Sequence, residues 1–152
     1  DSDKKIEDFK KYLSIPVING LSPSSHPTQV LSDVFTVEEI TKKPISKLNI
    51  CWIGDSNNVL DSLIAASVKF SFKLSIGCPK NFEPGKEVRS WVKKNKRKIN
   101  IFNDPKKAAK NADVVFKHQR PTGIPGTRLC DKNTSDKQKN LAGAQSFLLL
   151  SS

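Results

Sequence analysis

Two short stretches hold side chains able to do chemistry on an oxygen or an anion. Ser25-His26-Pro27-Thr28-Gln29 sets an imidazole and a carboxamide three residues apart, so on a helix they share a face. Pro27 suits the first helical position, with Ser25 or His26 as the cap. The open N–H groups of that first turn and the two side chains could donate together to a carbonyl oxygen or an anion. A histidine at a helix start also serves as a plain cap, and that reading stays open. The second stretch is Gly54-Asp55-Ser56-Asn57-Asn58, small turn-forming residues whose amides either meet a ligand or simply make the turn.

The elements that must position these residues are legible from the apolar pattern. Leu48–Ile53 is a short apolar run suited to a buried strand. Val59, Leu60, Leu63, Ile64 and Val68 follow the turn at helical spacing, with Asp61 and Lys69 on the other side. Strand, tight turn and helix start form the first half of a βαβ unit, and ligands bind where such a strand ends. Asp55–Asn58 is therefore expected at a binding crevice.

Upstream, Lys4–Leu13 reads as a helix and Ile15–Gly20 as a short strand. A helix from Pro27 carries Val30, Leu31, Val34 and Phe35 on its apolar face and ends before Pro44. Downstream, strands at Lys73–Cys78, Ile99–Phe102 and Asp113–Phe116 alternate with helices at Lys86–Lys96 and Lys106–Asn111, the last opened by Asp104-Pro105. This alternation predicts an α/β fold, a doubly wound parallel sheet in three layers. From Lys117 to Ser152 the period stops. Pro121, Gly123, Pro125 and Gly126 interrupt the chain, and a polar stretch precedes Phe147–Leu150, so this part is expected to be a divergent, disordered tail outside the sheet.

The 152 residues suffice for one domain with a real core, and the content is 36% hydrophobic and 27% charged, ordinary for a globular chain. No apolar run approaches the roughly 20 residues that span a bilayer, and the first residues lack the apolar region of a secretory signal. Cys51, Cys78 and Cys130 show no metal-site spacing and read as reduced thiols. The net charge of +11 invites a nucleic-acid reading. The one dense basic run, Lys93–Lys98, lies at a helix end without aromatic residues to stack on bases. Neither a membrane nor nucleic acid is the expected partner; an anionic substrate is another outlet for the charge.

Taken in order, Val17-Ile18-Asn19-Gly20-Leu21, His26-Pro27-Thr28-Gln29 and Trp52-Ile53-Gly54-Asp55-Ser56-Asn57-Asn58-Val59 resemble the ornithine carbamoyltransferase family. Cys78-Pro79-Lys80, Phe82-Glu83-Pro84, Asn103-Asp104-Pro105 and Ala112-Asp113-Val114-Val115 match as well, from about Ile6 to Phe116. The His-Pro-Thr-Gln box is shared with aspartate carbamoyltransferase; the Gly-Asp-x-Asn-Asn turn points to the ornithine branch. The resemblance implies that ornithine's δ-amine attacks carbamoyl phosphate, giving citrulline and phosphate, in arginine biosynthesis or the urea cycle. It implies no cofactor and no metal. His26 and Gln29 would be catalytic, binding carbamoyl phosphate with Pro27. Asn58, Asn57 and Asp55 would bind ornithine.

The resemblance also has gaps. The family's Ser-x-Arg-Thr phosphate box is not in this sequence, and residues 1–20 read as a remnant of the carbamoyl-phosphate domain, with 21–116 a partial ornithine-binding domain. Where the family continues Asp-x-x-x-Ser-Met-Gly, this chain reads Lys117-His118-Gln119-Arg120, so His118 is expected to be an exposed tail residue. The alternative is an inactive fragment or frameshifted product that retains at most amino-acid binding. The family forms a homotrimer; this chain is not expected to. A cytoplasmic location is expected, with a mitochondrial matrix equally compatible.

Overall fold

A computed structural model describes residues 2–94 and 98–118, and the backbone of Ser146–Leu149. Its centre is strand β1 (Asn49–Ile53). Parallel strands β2 (Lys73–Gly77) and β3 (Ile99–Phe102) lie successively to one side, and β4 (Val114–Lys117) pairs parallel on the other. The order β3-β2-β1-β4 makes the chain run outward from β1 and then return across it. The switch point of the winding therefore lies between the carboxyl ends of β1 and β4, the usual place for a ligand crevice in such sheets.

Alternation along β1 builds two cores. Ile50 and Trp52 join Leu74, Ile76, Val114 and Phe116 on one face, under helices α2 (Pro27–Thr41), α3 (Asn58–Lys69) and α4 (Lys86–Lys94). Cys51 and Ile53 face the other way, against Val115 and Ala108 of helix α5 (Pro105–Ala109). Burial on both faces is why β1 is almost wholly apolar. The expected three-layer, doubly wound parallel sheet is what the chain forms.

Two expectations need correction. Ile15–Gly20 is not a strand: it follows helix α1 (Asp3–Tyr12) as an irregular segment. Among the described residues no neighbouring strand offers it a ladder, and strand-like composition forms a strand only against a partner. The tail is not wholly outside the sheet either. Ser146–Leu149 forms β5, which pairs antiparallel with β4. The outer edge of β4 would otherwise carry unpaired backbone groups, and an antiparallel edge strand on a parallel sheet satisfies them. Low polarity alone did not reveal that partner. Residues 119–145, including Cys130, and residues 95–97 of the basic run lie outside the described residues.

Helix ends follow their sequence signals. Asp104 caps α5 by accepting from the Lys106 N–H at 2.9 Å, and Asn111, at φ 62°, lies just beyond that helix. On α2 the buried face is Val30, Val34 and Val37, whereas Leu31 and Phe35 stay exposed. Phe9 and Tyr12 of α1 are exposed too. Among the described residues, no helix is long and apolar enough to cross a membrane.

Gly54 is the tightest backbone position at the end of β1. Its φ is +150°, and a Cβ there would come within 2.9 Å of both Cβ and the carbonyl oxygen of His118. Gly54→Ala is expected to destabilise the fold by at least about 1 kcal/mol, read as a lower denaturant midpoint. An unchanged midpoint would show that β1 and β4 need not approach so closely.

Candidate active site

The turn after β1 is held from several sides. The Gly54 N–H donates to the Gly77 carbonyl at 3.1 Å, and the Ser56 N–H to the Phe82 carbonyl at 3.0 Å. Asn57 is the N-cap of α3: its Oδ1 accepts from the N–H groups of Val59 and Leu60, each at 3.0 Å. Its carboxamide oxygen is thus committed to the helix. Asp55 sits half-buried in the same turn, near Cys78. Burial, with the Asp55 and Glu83 carboxylates adding to it, pushes the Cys78 thiol up to about 12, so it stays protonated and is no nucleophile. Burial alone does the same to Cys51.

Asn58, the first residue of α3, reaches back to the loop before α2: its Nδ2 donates to the Ser22 carbonyl at 3.0 Å. That loop is itself cross-tied. Asn19 Nδ2 donates to Ser25 Oγ at 2.9 Å, and Thr28 Oγ1 to the Gly20 carbonyl at 2.7 Å. The strongest link is Ser62. Its buried hydroxyl accepts the His26 backbone N–H at 2.7 Å and donates to the Asn58 carbonyl at 2.8 Å. One hydroxyl therefore joins the start of α2 to the start of α3, and the two stretches singled out in the sequence are tied together. Sequence reasoning missed Ser62, although it stands one turn after Asn58, where a serine bonds back to the carbonyl four residues earlier.

His26 is the N-cap of α2, but its side chain makes no cap bond. The imidazole is half-buried, and Nδ1 is shielded from water without a hydrogen-bond partner among the described residues. A shielded, unpartnered ring nitrogen is costly in a folded protein and leaves His26 poised to meet a further group. Gln29 is also half-buried, and its Nε2 donates to Asp33 Oδ1 at 2.8 Å. A carboxamide nitrogen carries two hydrogens, so one donor remains after the Asp33 bond. Pro27 follows the cap at the first helical position.

Asp33 was not singled out in the sequence, yet it is 3% exposed one turn after Gln29. Its signal was the spacing, since Gln and Asp four apart pair along a helix. Burial raises its carboxyl from the ordinary 3.8 to about 6, only partly offset by the Gln29 bond and the nearby His26. His118 was expected in an exposed tail, and that is corrected. It is half-buried, its N–H donates to the Ile53 carbonyl at 3.0 Å, and its ring stacks on buried Trp52 with centroids 5.6 Å apart. The ladder between β1 and β4 continues one residue further than composition suggested. Among the described residues, no group of three or more His, Cys, Asp or Glu side chains could hold a metal.

Residues 46–121 match the family model "Aspartate/ornithine carbamoyltransferase, Asp/Orn binding domain". The chain belongs to the aspartate/ornithine carbamoyltransferase family. Residues 1–39 match the companion model for the carbamoyl-P binding domain. An ornithine carbamoyltransferase of Methanocorpusculum labreanum is 41% identical over 111 residues, which is 73% of this chain and 36% of that protein. One from Rhodopseudomonas palustris is 46% identical over 102 residues, 67% of this chain and 33% of its own length. The solved ornithine carbamoyltransferase of Pyrococcus furiosus superposes with a TM-score of 0.68 at 37% identity, covering 76% of this chain and 38% of that one. The catalytic subunit of M. jannaschii aspartate transcarbamoylase, 23% identical, shares the fold with a TM-score of 0.61. The chain thus spans little more than a third of these relatives.

The buried Asp33 makes stability depend on pH. Its folded-state value lies above its unfolded one, so the native state holds an extra proton between about pH 4 and 6 and loses stability as pH rises through that window. Asp33→Asn, which keeps an acceptor for Gln29, is expected to be more stable than the parent at pH 7.5 by at most about 3 kcal/mol. The gain should fade as pH falls from 6 to near 4, measured by chemical unfolding of both proteins. A variant less stable at every pH would reverse the assignment of Asp33 as a carboxyl held against its ionisation.

Proposed function

We propose that this chain carries the amino-acid-binding side of an ornithine carbamoyltransferase, with the carbamoyl-contacting helix start attached. In the reaction, ornithine's δ-amine attacks the carbonyl carbon of carbamoyl phosphate, the carbonyl oxygen gains charge, and phosphate leaves with citrulline as the other product. His26 and the second Nε2 hydrogen of Gln29 donate to that oxygen, and Pro27 holds the helix start to which both belong. Asn58 receives the α-carboxylate or amino group of ornithine, and Asp55 and Asn57 shape its turn. No protein nucleophile is needed; catalysis is orientation plus charge stabilisation.

The observation that most supports this reading is the Ser62 hydroxyl joining His26 to Asn58, which ties the donor box to the amino-acid turn. The ornithine branch, rather than the aspartate or N-acetylornithine branch, is favoured by the Gly-Asp-x-Asn-Asn turn and by relatives about 40% identical that are named ornithine carbamoyltransferases. A second reading, amino-acid binding without turnover, draws on Lys117-His118 at the end of β4, where the resemblance calls for an acidic residue. Arginine biosynthesis or the urea cycle, in a cytoplasm or a mitochondrial matrix, is the corresponding setting. The exposed Phe9, Tyr12, Leu31 and Phe35 favour loose self-association over a defined trimer.

The test is binding and turnover by the 152-residue chain. Ornithine should perturb the amides around Asn57 and Asn58 saturably, whereas aspartate and N-acetylornithine should not compete. Asn58→Ala and Ser62→Ala should each weaken ornithine about tenfold, the loss of one or two polar contacts. Citrulline formation should be undetectable, because the chain carries no Ser-x-Arg-Thr phosphate box. Failure to bind ornithine, or equal competition by aspartate, would overturn the ornithine assignment. Turnover abolished by Gln29→Ala would overturn the inactivity.

A further inference from the structure

The opposite pole of the sheet holds a second feature that carbamoyl transfer does not use. A pocket of about 100 Å³ opens across the amino ends of β1, β2 and β3. It is lined by the buried strand residues Ile50 and Leu74 together with Lys73, Lys98, Lys110, Ser75, Asn100 and Asn111. Three cations line it, and no carboxylate does. None of the three lysines makes a side-chain hydrogen bond or ion pair among the described residues, unlike Lys11, paired with Asp8, and Arg89, paired with Glu83. The nearest acid in sequence, Asp113, is already engaged. Its Oδ2 accepts both the backbone N–H and Nδ2 of Asn49, at 2.7 and 3.0 Å.

We infer that this pocket binds a small multivalent oxyanion, the phosphate headgroup of a soluble ligand. Three lysines lining one concavity concentrate positive charge there, which an anion seated in it relieves, and a half-enclosed site screens that charge less than open solvent does. The asparagine and serine side chains supply neutral donors for further oxygens. The size sets the class. The pocket falls well below the roughly 300–1,000 Å³ that encloses a drug-sized ligand, so it takes a headgroup and leaves the rest of the molecule outside. It also gives an outlet to part of a net charge of +11 that the substrate crevice does not absorb.

The probe is inorganic pyrophosphate, titrated into the isotope-labelled 152-residue chain and followed by NMR. Saturable shifts are expected at the amides of Ser75, Asn100, Asn111 and Ala112, at the pole opposite Asn57 and Asn58. The triple variant K73Q/K98Q/K110Q, whose positions are exposed or half-buried, should keep the parent spectrum and bind at least about tenfold more weakly. The absence of saturation at millimolar pyrophosphate, or unchanged affinity in the triple variant, would overturn the site; the lysines would then serve only the helix C-termini at that pole. A single-stranded oligonucleotide that displaces pyrophosphate and shifts residues far beyond the pocket would also overturn it, in favour of a diffuse nucleic-acid surface. Ornithine binding reports on the other pole, so either reading can fail alone.

Discussion

The position at which β1 stops is the constraint on which the crevice depends. Cys51 and Trp52 are wholly buried, one on each face, so the strand cannot slide without turning its core side chains into the wrong layer. Its end is pinned as well. Gly54 passes so close to His118 that no other side chain fits, and the His118 N–H extends the parallel ladder onto the Ile53 carbonyl. With the strand end immobilised, the turn 54–57 can only leave toward α3, and Asn57 starts that helix by capping two N–H groups. Register in the core is thereby converted into the position of Asn58.

From that fixed helix start, order passes to α2 through one hydroxyl. Ser62 is placed by the first turn of α3 and in turn places the N-cap of α2, which carries His26, Pro27 and Gln29. The arrangement is economical in polar groups but leaves polar atoms strained by burial. Nδ1 of His26 has no partner among the described residues, and the Asp33 carboxyl is held against its preference for charge. Such imperfect satisfaction, on His26 at the cap of α2 and Asp33 within it, is what supports the substrate site proposed there.

Charge is divided between the two ends of the sheet. The carboxyl ends of the strands present an imidazole, carboxamides, Asp55, Asp104 and Lys117, while the amino ends gather Lys73, Lys98 and Lys110, with Asp113 tied to Asn49. Composition reports only the total. Its partition between two poles follows from the parallel topology, which sends every strand start to one end and every strand finish to the other.

The sequence by itself determined the layer architecture, the central strand–turn–helix, the capping role of Asp104, and the two stretches that Ser62 joins. Those are local properties: periodicity, turn chemistry and cap preference act within a few residues. It determined less where the outcome depends on a partner distant in the chain. Ile15–Gly20 has strand composition but no neighbour, and Ser146–Leu149 has a neighbour that its surroundings did not announce. Leu31 and Phe35 looked like core, yet the face of α2 that α3 covers is the one bearing Val30, Val34 and Val37. Asp33 and Ser62 were passed over, and His118 was read as an exposed tail residue, because each takes its meaning from burial or from a bond made across the fold. Only the tertiary structure decided these, because which surface is removed from water and which donor meets which acceptor are set by packing between elements, not by the residues along any one of them.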